Sequence, residues 1–435
     1  MTPKYFLIKA IWGNRTYDAL IKPFDRLLVE ARPSASFYGA AIPLNKVCRL
    51  ADAHDPGWAR GYADLLFPAD TGIFHRKIWE FNQTIYGLRK MRRLHPDAAA
   101  LGIGCGHEEL MYFLANRVGR VVGTDLYEGA YLGGESADDV LLHPDKYAPF
   151  RYRRDRLEVR KMDALALDFG DGTFDFTFSL SSLEHFGRRD MKLRSLREMH
   201  RVLKPGGVAV LTTELVLNKI SRRKDYFRLD DLLGLAREAG FGWDEPLDLA
   251  VETEYAARPL AMSIEMYRTP HVILPSFGTI YTSLALFLCK PESTDPSKNA
   301  LVGDEVGGPP EPWMHKAEFT DVLITSPAKA GRDVDVSFAL RNDGDIAWYA
   351  KPSRTHQVRI GAWVSDAEGR VLGGEPARIV LPKDITPGET AAVAGKITAP
   401  REAGDFHLHL DLVKESCFWF REKGSPVPAV PFTVI

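Results

Sequence analysis

Residues 98–125, AAALGIGCGHEELMYFLANRVGRVVGTD, decide the fold. Ala98 to Ile103 is an apolar run of buried-strand length. Gly104 and Gly106 follow where a sharp turn has to bring backbone amides close to a ligand without Cβ interference. His107 to Val118 then sets Leu110, Met111, Leu114 and Val118 at helical spacing, so a helix N-terminus faces the turn. Val121 and Val122 open a second buried strand that ends on Asp125, an acid at a strand's carboxyl end, where it can accept both hydroxyls of a ribose. A glycine turn also serves simply to pack a helix on a sheet, so the reading rests on what comes next.

What comes next keeps the same rhythm. Leu157 to Lys161 predicts a third strand, followed by Asp163, and Phe174 to Leu180 is an alternating aromatic strand. LKPGG at 203–207 closes a helix whose buried face carries Leu193, Leu196, Met199 and Leu203, and it turns the chain into a strand over Val208 to Thr213. A helix over Leu229 to Ala239 and an antiparallel strand over Thr279 to Lys290 complete the pattern.

With GIGCG, VVGTD, KMDAL, FDFTFSLSSLEHFG and REMHRVLKPGGVAVLTTE in this order, the chain resembles the class I S-adenosylmethionine-dependent methyltransferases across residues 76–290. The resemblance implies an α/β, Rossmann-like domain with a seven-stranded sheet and S-adenosyl-L-methionine as cofactor. It places Gly102, Gly104 and Gly106 against the methionine part, Asp125 at the ribose, and Asp163 with the Met162 backbone at the adenine edge. Leu126, Ala164 and Ser179 complete the expected cofactor-binding set. Met162 and Leu183 would supply apolar walls. Two positions depart from the pattern: Gly102 stands where an acid usually precedes the first glycine, and Glu108 replaces the usual third glycine. A carboxylate at a helix start is favoured by the dipole and can meet the donor's ammonium; an ordinary first-turn acid is the alternative.

Catalysis is expected in Ser181-Ser182-Leu183-Glu184-His185, at the pocket mouth. His185 is the candidate base, because histidine accepts a proton at neutral pH, and Glu184 stands beside it. Some quinone-pathway O-methyltransferases carry a similar L-E-H segment with an acid four residues before the histidine and hold a metal there. This chain has Ser181 at that point, so no metal is expected. Glu214, leaving the fifth strand, is a candidate for acceptor hydroxyls, with a salt-bridged role as the alternative. In the helix over Arg76 to Arg93, Trp79 and Glu80 border the pocket in such folds, with packing and surface roles as alternatives.

Outside this region, residues 1–75 read as mainly helical, with a helix expected over 17–31. The 37 residues between Asp125 and Asp163 exceed a simple crossover and suggest an insertion that serves either as an acceptor lid or as a surface loop. Residues 291–313, PESTDPSKNALVGDEVGGPPEPW, read as a linker. Period-two runs at Val334 to Leu340, Val358 to Val364, Thr390 to Ile397, Asp405 to Val413 and Val430 to Val434 predict an all-β sandwich over 314–435. LRNDGDIAW, LPKDITPGET, TAPREAGDFHLHLDLV and CFWF resemble an immunoglobulin-like domain found beside bacterial carbohydrate-active proteins. Its Trp348, Trp363, Trp419 and Phe420 are candidates for stacking on sugar rings; Trp348 suits a core position and Trp419 an exposed one.

A net charge of −2 excludes a global field for nucleic acid, and the run Arg151 to Arg160 is a local basic patch that reads rather as a solvated loop. Four cysteines without a CxxC pair suggest neither zinc nor a disulfide framework. Ile280 to Cys289 is too short and too rich in hydroxyl residues to cross a bilayer, so a cytoplasmic protein without membrane insertion is expected. The resemblances point to a saccharide or glycolipid O-methyltransferase of bacterial surface-polysaccharide assembly, associated with assembly enzymes or with copies of itself. A small-molecule or lipid O-methyltransferase, and a scaffold with a degenerate domain, are the alternatives.

Overall fold

The computed structural model describes residues 28–34, 41–65, 74–129, 137–219, 221, 223–256, 271–276, 279–351, 357–415 and 417–435. The chain divides into two compact units: residues 1–126 with 152–310, and residues 127–151 with 311–435. Most of the helix expected over 17–31 lies outside the described residues; Ala31–Arg32 forms a short strand, β1.

The first unit is built on an eight-stranded mixed sheet. Its strands are β2 (Lys46–Val47), β3 (Ala99–Ile103), β4 (Arg120–Asp125), β5 (Leu157–Lys161), β6 (Phe174–Leu180), β7 (Leu203–Val216), β9 (Leu274–Ser276) and β10 (Thr279–Cys289); β8 (Val251–Glu252) pairs with β1 apart from it. The order is β2-β10-β7-β6-β3-β4-β5, with β9 on β10. Neighbours from β7 to β5 are parallel, while β10 runs antiparallel to β7 and to β2. Chain order reverses between β3 and β6, and in open α/β sheets that switch point opens the ligand crevice at the carboxyl ends. The sheet has eight strands rather than the expected seven: to the six placed from the sequence, β2, from the region read as helical, and the short β9 are added, both joining at β10.

Among the described residues the α-helices are α1 (Pro56–Asp64), α2 (Arg76–Lys90), α3 (Glu109–Ala115), α4 (Asp139–Leu142), α5 (Pro144–Tyr147), α6 (Arg189–Val202), α7 (Leu229–Glu238) and α8 (Thr253–Ala256). β7 begins at Leu203, so LKPGG lies inside the strand assignment rather than before it. Lys204 reaches both oxygens of the buried Asp175, at 2.9 and 2.8 Å, which also accepts from the Ala99 and Leu301 amides. Three of the four arginines at 153–160 have these local partners: Arg153 pairs with Asp155, Arg160 with Glu158, and Arg156 donates to the Val118 carbonyl.

The segment expected to be a linker is, up to Pro310, part of the first unit. Its backbone and acids satisfy buried arginines: Arg93 donates to the carbonyls of Ala300 and Leu301, Arg117 to that of Gly308, and Glu305 pairs with both Arg89 and Arg117 at 2.7 and 2.8 Å. Low apolar content suggested a solvated tether, but a segment can also be held through its polar groups.

The second unit has a three-stranded and a five-stranded antiparallel sheet, β11 (Ala317–Ile324), β12 (Asp333–Asn342) and β15 (Thr390–Thr398), then β13 (Val358–Ser365), β14 (Val371–Val380), β16 (Gly404–Lys414), β17 (Phe418–Trp419) and β18 (Ala429–Val434). Alternate residues of both sheets share one apolar core that includes Trp348 and Phe420; Trp363 and Trp419 lie outside it. The insertion after Asp125 belongs here. Arg151 pairs with Glu311 and Asp345, and the Trp313 indole donates to the Ala148 carbonyl at 2.9 Å. Among the described residues no helix is long and apolar enough to cross a membrane.

Candidate active site at the carboxyl edge of the mixed sheet

The glycine turn leaves β3 with Gly104 at φ 65° and Gly106 at φ 49°. A Cβ on Gly104 would stand 2.8 Å from Ser182 Cβ, and the Ser182 hydroxyl donates to the Gly104 carbonyl at 2.5 Å, so the turn is locked to the loop after β6. Asp125 accepts the Gly106 amide at 3.0 Å through Oδ2, which fixes the turn from the other side. The Met162 amide donates to the Asp125 carbonyl at 2.9 Å and brings the end of β5 to the same point. Asp163 is exposed and accepts the Leu165 amide, holding its own turn, in which Ala164 is half-buried; Leu126 is half exposed beside Asp125.

Two expected contacts are packed differently. Gly102 is buried in β3, where a Cβ would meet the Phe178 ring at 2.6 Å, and its carbonyl accepts from the Thr124 hydroxyl. The missing acid therefore has a packing cause, since its side chain would need the space Phe178 fills. Ser179 is fully buried within β6, ahead of the strand end.

Helix α2 supplies what motif reading passed over. Lys77 Nζ donates to the Leu180 carbonyl at 2.9 Å and pairs with Glu108 Oε1 at 2.9 Å and Glu80 Oε2 at 3.2 Å. Glu80 is fully buried rather than a surface residue. It accepts from Arg76, Ser181, Thr212 and Ser283 at 3.0, 2.9, 3.0 and 2.6 Å. Burial opposes its charge, but Lys77, Arg76 and the serine hydroxyls hold Glu80 below the usual carboxylate range. Trp79 packs, its indole donating to Asp52 at 2.7 Å. Glu108 is the N-cap residue of α3; burial, against the pull of Lys77, pushes it up to about 7, and its Oε2 is a buried acceptor with no hydrogen-bond partner.

Ser181, at φ 52°, spends its hydroxyl on Glu80. Beyond it, the loop turns Glu184 inward and His185 outward: Glu184 is 1% exposed, whereas His185 is exposed. The Thr213 hydroxyl donates to Glu184 at 2.9 Å, and the Glu214 carboxyl lies beside it; Glu184 Oε1 and Glu214 Oε2 are buried without a hydrogen-bond partner. Burial first, then the Glu214 neighbour, push Glu184 well above the usual carboxylate range. Glu214 also pairs with Arg76 at 2.7 Å, and Arg76 lies over the Tyr281 ring at 5.5 Å. The Tyr226 and Tyr281 ring centroids lie 4.7 Å apart, and Arg223 lies over Tyr226 and pairs with Asp225. Asp225 lies within electrostatic reach of His185.

A continuous series of polar contacts therefore runs from Glu108 through Lys77, Glu80, Arg76 and Glu214 to Glu184. The signal for it was the R-K-x-x-E pattern at 76–80, which sets Glu80 three and four residues from its cations on one helix face.

Residues 101–211 match the methyltransferase domain family. The demethylmenaquinone methyltransferase of Lysinibacillus sphaericus is 31% identical over 127 residues, which is 28% of this chain and 46% of the relative. The chain thus spans about half the length of the curated relative it matches. Among solved structures, an S-adenosylmethionine-dependent methyltransferase from Mesorhizobium loti is 18% identical, with 47% of this chain and 96% of that one covered at a TM-score of 0.32. The Haemonchus contortus phosphoethanolamine N-methyltransferase 2 is 17% identical, with 48% and 53% covered at 0.34. Residues 101–211 are thus a methyltransferase domain, whose donor is S-adenosyl-L-methionine. The residues fit that group: the unpartnered Glu108 Oε2 suits an ammonium, and Lys77 beside it suits a carboxylate, so the pair is complementary to an amino-acid zwitterion.

Proposed function

We propose that the chain is an S-adenosyl-L-methionine-dependent O-methyltransferase acting on a saccharide hydroxyl in bacterial surface-polysaccharide or glycolipid assembly. The observation that carries this reading is the polar character of the acceptor side, where Arg76, Glu184, Glu214, Tyr226 and Tyr281 converge beside His185. An acceptor dense in hydroxyls can donate to the buried Glu184 Oε1 and Glu214 Oε2, which have no partner, while an apolar one would leave these oxygens unsatisfied.

When bound, the cofactor supplies an electrophilic methyl group. The glycine turn, Asp125, Glu108 and Lys77 position it, and the proton released by the acceptor hydroxyl passes to His185 Nε2 or Nδ1 at the mouth. Asp225 then stabilises the imidazolium. A small-molecule acceptor is the second reading, favoured by the demethylmenaquinone methyltransferase relative. Incubation with methyl-labelled donor and, in parallel, bacterial polysaccharide fragments, glycolipids and demethylmenaquinol tests both. Label in a base-stable ether on sugar supports the first reading; label in the quinol alone replaces it with the second.

A further inference from the structure

On β13 and β16 the odd-numbered residues face away from the core, and their outer surface is unlike an ordinary solvated sheet face. Trp363 and His409 are cross-strand partners with rings stacked at 5.4 Å. Gly361 pairs with Asp411, and because a Cβ on Gly361 would stand 2.3 Å from the Trp419 ring, the absent side chain is what lets Trp419 lie down on the strand. Trp363 and Trp419 meet edge to face at 6.0 Å. Arg421 sits over both rings, at 4.8 and 4.7 Å, and Arg378 lies over Trp419 at 4.8 Å.

The arginines differ in what they already hold. Arg378 donates to Glu415 at 3.2 Å and to the Pro376 carbonyl at 2.9 Å. The Arg421 side chain is 43% exposed and its nearest carboxylate, Asp411, is 3.9 Å away, beyond hydrogen-bond distance. Stacking on two indoles leaves the guanidinium edge free and fixes its plane, which removes most of the rotamer entropy that an arginine loses on clamping a planar anion. Asp411 is 1% exposed, its Oδ1 has no partner, and burial raises it to about 6. Arg359 and Arg378 both face the half-buried Glu415, and the exposed Glu422 lies within electrostatic reach of Asp411, so the face carries no cationic excess as a whole and its one group suited to an anion is the Arg421 guanidinium.

We propose that this face binds an acidic saccharide, with a uronate carboxylate on the Arg421 guanidinium, the sugar's C–H surface along the exposed edges of Trp363 and Trp419, and a neighbouring hydroxyl donated to Asp411 Oδ1. The assignment rests on the saccharide reading above and narrows it to a carboxylated glycan. Planar bidentate recognition is what guanidinium does best, and lysine does not reproduce it.

The test is calorimetric titration of the full chain with hexagalacturonate, maltohexaose and inorganic phosphate, followed by tryptophan fluorescence. Saturable binding of hexagalacturonate at least about tenfold tighter than of maltohexaose is expected, with loss of at least about tenfold in Arg421→Gln and no recovery in Arg421→Lys. Asp411→Asn, which keeps the fold's volume, is expected to weaken binding by a few-fold. Equal binding of the neutral glycan, no binding of hexagalacturonate, an unchanged Arg421→Gln, or equal competition by phosphate would each overturn the proposal. Donor titration on the same preparations keeps the two readings apart: hexagalacturonate binding without sugar methylation sinks the enzymatic acceptor and leaves this site standing, and the reverse outcome sinks only the site.

Discussion

Donor affinity should depend on pH through Glu108, and the structure sets the size of the effect. Burial raises this carboxyl to about 7 while one oxygen pairs with Lys77 and the other waits without a partner. At pH 8 about nine tenths of it is ionised and at pH 6 about one tenth. A charge-assisted bond to the donor's ammonium is worth about 1.5–3 kcal/mol, so at pH 8 the wild type should bind S-adenosyl-L-methionine at least about tenfold more tightly than Glu108→Gln. Binding a cation favours the ionised form, so at pH 6 complex formation must first expel a proton. The advantage over the glutamine variant should then shrink about tenfold. The donor's own amine and the neighbouring Glu109, which burial also raises, titrate in both proteins, so the ratio of the two affinities isolates Glu108. Isothermal calorimetry in buffers of different ionisation enthalpy reads both affinity and proton release. A ratio that stays constant from pH 6 to pH 8, or equal affinities at pH 8, would refute the reasoning.

Asp125→Ala should weaken donor binding by more than about tenfold, because it removes ribose contacts and also the 3.0 Å bond that holds the Gly106 amide; unchanged affinity in a folded variant rejects the assignment. His185→Ala should lower turnover by roughly 10²–10⁴ with donor affinity near wild type, and turnover within a few-fold would show a non-catalytic histidine. Glu184 is held neutral in the fold, so between the ordinary carboxylate range and its raised native value stability falls as pH rises; Glu184→Gln should flatten that fall in urea melts taken across pH. A chain ending at Lys290 should be markedly less stable than the full one, because Arg89 and Arg117 lose Glu305 and Arg93 loses two carbonyls, and a melt matching the full chain's would contradict this.

The core of the first unit was legible because most of its strands carry apolar runs or alternation between turn signals. Leu157–Lys161 and Phe174–Leu180 match their expected limits. Two strands of the second unit escaped for local reasons. Ala317–Ile324 has an irregular register between Thr320 and Leu323, with Asp321 at φ 52°, so its period of two is broken. Val371–Val380 contains Gly-Gly-Glu-Pro, which reads as a turn, but the strand lies at the sheet edge, where proline is tolerated. The site's charged contacts were hidden because they join residues far apart in sequence: no spacing rule connects Arg76 to Glu214, or Arg421 to Trp363.

The insertion at 127–151 imposes an order on biosynthesis. Its partner in the second unit, Glu311, lies 160 residues downstream of Arg151. At roughly 5–20 residues per second, the ribosome needs about 8–30 s to supply it. During that interval α4, α5 and the apolar Trp313 seat at Ala148 are on the emerging chain without the strands that complete their unit, while β3 and β4 on their amino side await β5 to β7. The second unit therefore closes last and depends on a segment made early. A chaperone that shields residues 127–151 during translation would act where this chain is most exposed to misassembly.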